Sequence, residues 1–122
     1  MANVINWFEI PAKDLNRAVK FYSQVIGGEF YRTDLGGLKM AFFPMEGDGV
    51  GGALCQGEFY NPTQDGPVIY LNANPDLSEP LSRVEVAGGK IIMDKKFIAE
   101  DIGYMALFID SEGNRVAFHS IK

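Results

Sequence analysis

The sequence predicts an α+β domain made of two copies of one βαβββ unit. Two stretches, residues 8–30 and 70–91, carry the same signals in the same order: an apolar strand, an Asp-Leu pair, a helical run, and a Gly-Gly pair that opens another strand. Because one such unit leaves a sheet face poorly covered, two units are expected to pack side by side. We therefore predict a single domain, residues 1–122, composed of two modules at about 1–60 and 65–122.

The first module is predicted to contain a helix over residues 14–26. Apolar side chains recur there at helical spacing, Asp14 suits the N-cap, and Gly27 suits the position just after the helix. Apolar runs between Gly-rich or Pro-rich turns predict strands at residues 4–10, 29–32, 38–43 and 52–56.

The second module is predicted to contain a helix over residues 77–87. Leu77, Leu81 and Val84 form its apolar stripe, and Pro80 is tolerated because it falls near the first turn. The same reasoning predicts strands at residues 68–72, 90–92, 104–109 and 115–120.

Composition excludes several classes of protein. The chain is 47% hydrophobic and 22% charged, which is typical of a globular domain rather than a disordered segment. Its 11 basic and 16 acidic residues give a net charge of -5, and the basic residues are scattered, so we expect no nucleic-acid partner. No apolar run approaches the roughly 20 residues of a membrane span, and no basic leader is present, so we expect no membrane association and a cytoplasmic location. A single cysteine, Cys55, and a single histidine, His119, exclude an internal disulfide and any site that needs two histidines per chain.

Three segments resemble the vicinal oxygen chelate superfamily, which includes glyoxalase I, bleomycin-resistance proteins and extradiol dioxygenases. They are residues 7–22 (WFEIPAKDLNRAVKFY), 51–54 (GGAL) and 106–115 (ALFIDSEGNR). The resemblance implies two βαβββ modules whose mixed sheet curves into a cup. It also points to a homodimer, as do the exposed sheet edges of such a chain.

Metal-dependent members of that superfamily draw four His, Glu or Gln ligands from the first and last strands of the two modules. The resemblance carries these positions onto Trp7, Ala53, Ile69 and Ala117. None of the four offers the imidazole, carboxylate or thiolate donor that such an ion requires. We therefore expect neither a metal nor another cofactor, and no standard glyoxalase I or extradiol dioxygenase activity.

A second set of side chains is expected to line the cup, because residues two apart on a strand share a face. These are Glu9, Cys55, Leu71 and His119. Glu9 and His119 are candidate catalytic groups for proton transfer, or else a solvated carboxylate and an exposed terminal histidine. Trp7, Cys55 and Leu71 are candidate ligand contacts. Trp7 could equally fill the core, and Cys55 is better read as a small buried hydrophobe than as a nucleophile.

These observations favour a metal-free protein that binds or sequesters a small organic molecule. Three alternatives remain open: a metal-free lyase or isomerase that uses Glu9 and His119, a metal-dependent lyase or dioxygenase whose ligands have moved to Glu9, Cys55 and His119, and a protein-interaction module. Residues 56–66 are predicted to form a mobile rim over the pocket. The sequence leaves open the ligand, and whether one chain or two complete the cup.

Overall fold

The computed structural model describes residues 3–122, which form two four-stranded sheets. The first sheet contains β1 (Trp7–Pro11), β2 (Tyr31–Leu35), β3 (Leu38–Phe42) and β4 (Gly51–Gln56), with helix α1 (Leu15–Ile26) between β1 and β2. The second contains β5 (Tyr70–Asn72), β6 (Lys90–Ala99), β7 (Gly103–Ile109) and β8 (Arg115–Ser120), with helix α2 (Ser78–Leu81) between β5 and β6. Neither helix has the length and apolar character that crossing a bilayer requires.

Both sheets have the same strand order. It runs β1-β4-β3-β2 in the first and β5-β8-β7-β6 in the second, with the first two strands of each order parallel and the others antiparallel. The predicted α+β fold of paired βαβββ units is therefore confirmed. The strands of the two sheets come from residues 7–56 and 70–120. The first predicted module starts at residue 1, and residues 1 and 2 lie outside the described part of the chain.

Helix α1 begins and ends where its sequence signals predict. The Asp14 side chain accepts a hydrogen bond from the backbone N–H of Arg17 at 3.2 Å, and Gly27 ends the helix with a φ of 78°. The apolar stripe of the helix is buried. The capping residues and the apolar stripe are therefore sufficient to predict helix α1.

Helix α2 is shorter than predicted. Only Ser78–Leu81 is helical, and the chain continues to Gly88 as turns. Bonds from Leu81 N to Leu77 O and from Ser82 N to Ser78 O span four residues, but those from Arg83 N to Pro80 O and from Val84 N to Leu81 O span three. The α-helical pattern therefore ends after a single turn.

Strand β6 is longer than predicted, running from Lys90 to Ala99 with three irregularities in its pairing to β7. It is an edge strand, and the charged run at residues 94–96 interrupts its apolar pattern. Bulges and charges are common on edge strands, where they discourage pairing with other chains.

One hydrophobic core joins the two modules through α1. The buried face of this helix lies in the same cluster as Ile10 and Leu54 of the first sheet and Phe108 and Phe118 of the second. A smaller cluster occupies the opposite face of the first sheet, where Met40, Ala53 and Cys55 are buried and Leu38, Phe42 and Tyr60 are partly buried. That second face is where the predicted site residues of the first module lie.

Candidate functional site

The pairing of β1 with β4 decides which side chains share the second face. In this parallel ladder Trp7 lies beside Gly51, and Glu9 lies beside Ala53. Ile10 points the other way and is buried in the main core. We call the face that carries Trp7, Glu9, Ala53 and Cys55 the cup face.

Glu9 accepts two hydrogen bonds on the cup face. Its Oε1 accepts one from the Tyr60 hydroxyl at 2.7 Å, and its Oε2 accepts a longer one from Trp7 Nε1 at 3.3 Å. Tyr60 follows β4 in the predicted rim, but sequence reasoning did not single it out. No spacing rule relates a loop tyrosine to a carboxylate 51 residues away.

Two neighbouring side chains are held in their protonated forms. Hydrogen bonding to Glu9, then burial and the charge of Glu9, raise the pKa of Tyr60 to about 12. Burial first, and Glu9 second, raise the pKa of Cys55 to about 12. At neutral pH Cys55 is therefore a buried thiol, and this disfavours a nucleophilic role.

His119 lies on the second sheet, where it pairs with Asn72 of β5 and Met105 of β7. The His119 ring is half-buried, and its Nε2 lies 2.6 Å from the carbonyl oxygen of Ile102. Glu9 and Cys55 thus lie on the first sheet, whereas His119 lies on the second. Residues 3–122 bring together no group of three or more His, Cys, Asp and Glu side chains able to hold a metal ion. The alternative site at Glu9, Cys55 and His119 is therefore not assembled within this part of the chain.

The predicted orientation of Ile69 and Leu71 into the cup is wrong. In β5 it is Tyr70 that pairs with Ala117, so Tyr70 shares the face of Ala117 and His119. Leu71 lies in the main core at 7% exposure, and Ile69 packs against that core. A shift of one residue moves every side chain of a strand to the other face.

An extra residue in the second module causes this shift. Ala12 N donates to Cys55 O in the first module, and Ala73 N donates to His119 O in the second, so Ala12 and Ala73 correspond. Ala12 precedes the Asp-Leu pair by two residues and Ala73 precedes it by three. By this correspondence Val68, rather than Ile69, is the counterpart of Trp7. Valine has no donor atom either, so the corrected set is as unsuited to a divalent ion as the predicted one.

A cleft of about 720 Å³ lies between β1 and the chain that leads into β5. Trp7 and Tyr70, exposed at 43% and 51%, contribute rings from the two sides. Glu9 also lines the cleft, and Leu71 is part of its wall although its side chain packs in the core. Much of the remaining wall is apolar: Val4, Ile5, Val50, Pro67, Val68 and Ile69.

Comparison with known proteins identifies the relatives of this chain. The model of the Glyoxalase/Bleomycin resistance protein/Dioxygenase superfamily matches residues 4–118. A glyoxylase-like domain-containing protein from Didymella fabae is 31% identical over 113 residues, which cover 90% of this chain and 88% of that protein.

Solved structures show the same fold at low sequence identity. A glyoxylase/bleomycin resistance protein/dioxygenase domain from Frankia sp. EAN1pec has a TM-score of 0.74 at 12% identity, covering 98% of each chain. Glyoxalase I from Zea mays has a TM-score of 0.71 at 18% identity, covering 95% of this chain but 45% of the maize chain. The chain thus spans just under half the length of that enzyme.

Proposed function

The chain belongs to the Glyoxalase/Bleomycin resistance protein/Dioxygenase superfamily, and we propose that it is a member that binds or sequesters a small organic molecule without a metal ion. The cleft beside β1 carries this proposal. Its volume of about 720 Å³ falls within the range of small-molecule sites, and its wall is mostly apolar with one carboxylate. Such a wall provides burial for an organic ligand and one polar group to orient it.

The chemistry of the side chains supports binding without a metal. The four positions that hold the metal ligands in metal-dependent members carry an indole, two methyl groups and an isopropyl group, where metal-ligand atoms would be needed. These residues are Trp7, Ala53, Val68 and Ala117. These residues do not fit a divalent ion.

A metal-free lyase or isomerase is less well supported. That reaction would need Glu9 and His119 to face the same ligand, but Glu9 lines the cleft and His119 is not among its described lining residues, and Nε2 of His119 contacts the carbonyl oxygen of Ile102. A second copy of the chain could supply the missing group only if its second sheet faced the cup face of the first.

We also propose a homodimer and a cytoplasmic location. Tyr31 and Leu35, at 71% and 62% exposure, lie on the first sheet, and both sheets end in unpaired edges. A second copy would cover such groups. The free thiol of Cys55 is typical of a reducing compartment.

Two measurements test the binding proposal. Elemental analysis of protein purified without added metal should give far less than one ion per chain. A thermal-shift screen of a metabolite library should give hits that also change the fluorescence of Trp7, the only tryptophan. Trp7→Ala should weaken each hit, whereas Val86→Ala, at a residue 82% exposed and outside the cleft lining, should not.

Three results would contradict the proposal. One is a near-stoichiometric metal whose removal abolishes ligand binding, and another is chemical turnover of a hit. The third is a library without any hit. Light scattering tests the dimer separately, and a monomer at tens of micromolar would refute it.

A further inference from the structure

One formal charge faces the cleft. Among its described lining residues Glu9 is the single side chain that is charged at neutral pH, and the polar remainder is neutral. The salt bridges of residues 3–122 are Arg17–Glu112 and Lys95–Asp76, so none of them neutralises Glu9. The cleft therefore presents an uncompensated negative charge within a mostly apolar wall.

The Glu9 carboxylate keeps capacity for a further partner. Its two hydrogen-bond donors, the Tyr60 hydroxyl and the Trp7 indole N–H, are both neutral. The neighbouring Cys55 thiol, which also interacts with Glu9, is neutral as well. An ionised carboxylate offers about four lone-pair sites, so at least about one remains. The bonds from Tyr60 and Trp7 hold the group in place without cancelling its charge.

Two aromatic rings line the same cleft as this charge. Trp7 Nε1 is engaged by Glu9, and the Tyr70 hydroxyl lies 3.9 Å from Met105 Sδ, so the polar atom of each ring has a partner. The rest of these half-exposed rings is aromatic surface. Such surface attracts cations through its quadrupole as well as burying apolar groups.

These features select one class of ligand by charge. An anion would be repelled by Glu9. A neutral molecule could donate a hydrogen bond to the carboxylate, but it would cover the negative charge without compensating it, which carries a desolvation cost. We propose, in an inference that rests on the proposed function, that the ligand is an organic cation with an ammonium group attached to an apolar or aromatic body. Its charged head binds Glu9 beside the Trp7 and Tyr70 rings, and its body lies along the apolar wall.

Three probes that share a phenyl group and differ in charge test this proposal. They are 2-phenylethylammonium, the neutral 2-phenylethanol and the anionic 3-phenylpropionate, each titrated against Trp7 fluorescence. The ammonium should bind at least about tenfold more tightly than the alcohol, as a charge-assisted hydrogen bond implies. The carboxylate should bind most weakly. In Glu9→Gln the ratio of ammonium to alcohol affinity should fall to about one, while binding of the alcohol persists.

One further variant provides a control. Asp34→Asn removes the same charge from the first sheet, but Asp34 pairs with Lys39 on the face opposite Met40 and Cys55, so the preference for ammonium should remain.

Equal wild-type affinity for the three probes, or an ammonium preference that survives in Glu9→Gln, would overturn the cation proposal and leave the proposed function intact. A library that binds only neutral or anionic compounds would do the same. If no compound of any charge binds, both proposals fail. Should Glu9→Gln not fold, the wild-type order of the three affinities decides the question.

Discussion

Replacing Glu112 with glutamine should weaken the junction between the two modules. The Oε1 of Glu112 accepts hydrogen bonds from the backbone N–H groups of Lys13 and Asp14 at 2.9 and 2.8 Å, at the start of α1. Oε1 also accepts a bond from Arg17 Nη2 at 3.0 Å, and Oε2 accepts bonds from Arg17 Nε at 2.7 Å and from the Ser111 hydroxyl at 3.0 Å. A carboxylate in the β7–β8 turn of the second module thus holds the helix of the first.

The expected loss in the free energy of unfolding is about 1–2 kcal/mol. Glutamine keeps one oxygen for the two backbone donors and Arg17 Nη2, but it loses the acceptor of Arg17 Nε and the negative charge that strengthens both bonds to Arg17. A hydrogen bond to a charged group contributes about 1.5–3 kcal/mol. The Glu112 side chain is fully buried and that of Arg17 is 52% exposed, so solvent screening places the value at the lower end. For a domain of this size the melting temperature should fall by about 4–8 °C.

The pH dependence gives a second readout of the same contact. Burial alone would raise the pKa of Glu112, but the hydrogen bond from Arg17, the bonds from Asp14 N and Ser111, and the charge of Arg17 outweigh it and lower the pKa. A lowered pKa in the folded state adds stability above the unfolded value of about 4.3, and this is lost as pH falls through the folded value. The difference between wild type and Glu112→Gln should therefore narrow in acid.

Urea denaturation at neutral and acidic pH measures both effects. Glu29→Gln is the matched control, because Glu29 is exposed and the substitution removes the same charge; it should change stability by less than about 0.5 kcal/mol. The reasoning is refuted if Glu112→Gln is as stable as this control at neutral pH. It is also refuted if the difference does not shrink as pH falls.

Three further outcomes are expected. Alkylation of Cys55 by iodoacetamide at neutral pH should be at least about 100-fold slower in the native state than in urea, because the raised pKa leaves little thiolate; equal rates would contradict this. The phenol of Tyr60, identified by absorbance difference from Tyr60→Phe, should titrate near 12 and move towards about 10 in Glu9→Gln, and an unchanged midpoint would show that Glu9 is not the cause. Gly103→Ala should lower the free energy of unfolding by more than about 1 kcal/mol, because φ is 107° and a new Cβ would lie 2.3 Å from a backbone oxygen. Gly49→Ala is the control, because a Cβ there would meet open space, and similar stabilities for the two variants would contradict this reasoning.

The elements that sequence reasoning placed well are those whose signals are local. Helix α1 has an N-cap at Asp14, a closing glycine at Gly27 and an uninterrupted apolar stripe, and no tertiary contact is needed to predict it. Helix α2 differs because its apolar stripe continues through residues whose backbone bonds span three residues instead of four, and periodicity does not distinguish such turns from an α-helix. Strand β6 was truncated in the prediction because residues 94–96 carry charges on an irregular edge.

The candidate site was predictable on one module and not on the other. Counting by two from Trp7 correctly placed Glu9 and Cys55 on the face of Ala53. The same count failed in the second module because one additional residue precedes its Asp-Leu pair. Since side chains alternate along a strand, a shift of one residue assigns each side chain to the wrong face of the sheet. The contact of Tyr60 with Glu9 was beyond sequence reasoning altogether, since a loop conformation determines it.

The contacts of Glu112 and the ligand cleft lie at opposite ends of β1, so the effects of mutations on folding stability and on ligand binding should be separable. Its hydrogen bonds reach Lys13 and Asp14, just after the strand, and the neighbouring Asn114 side chain donates to Pro11 O at 2.7 Å, so the carboxyl end of β1 is fixed to the second module. Trp7 lies at the other end of the same strand, where β1 pairs on one side with β4 and borders the cleft on the other. A folded Glu112→Gln protein should therefore keep its affinity for a cleft ligand, and Trp7→Ala should reduce that affinity with a smaller effect on unfolding. Parallel losses of stability and affinity in both variants would mean that the strand moves as one body, and that the cleft depends on the junction.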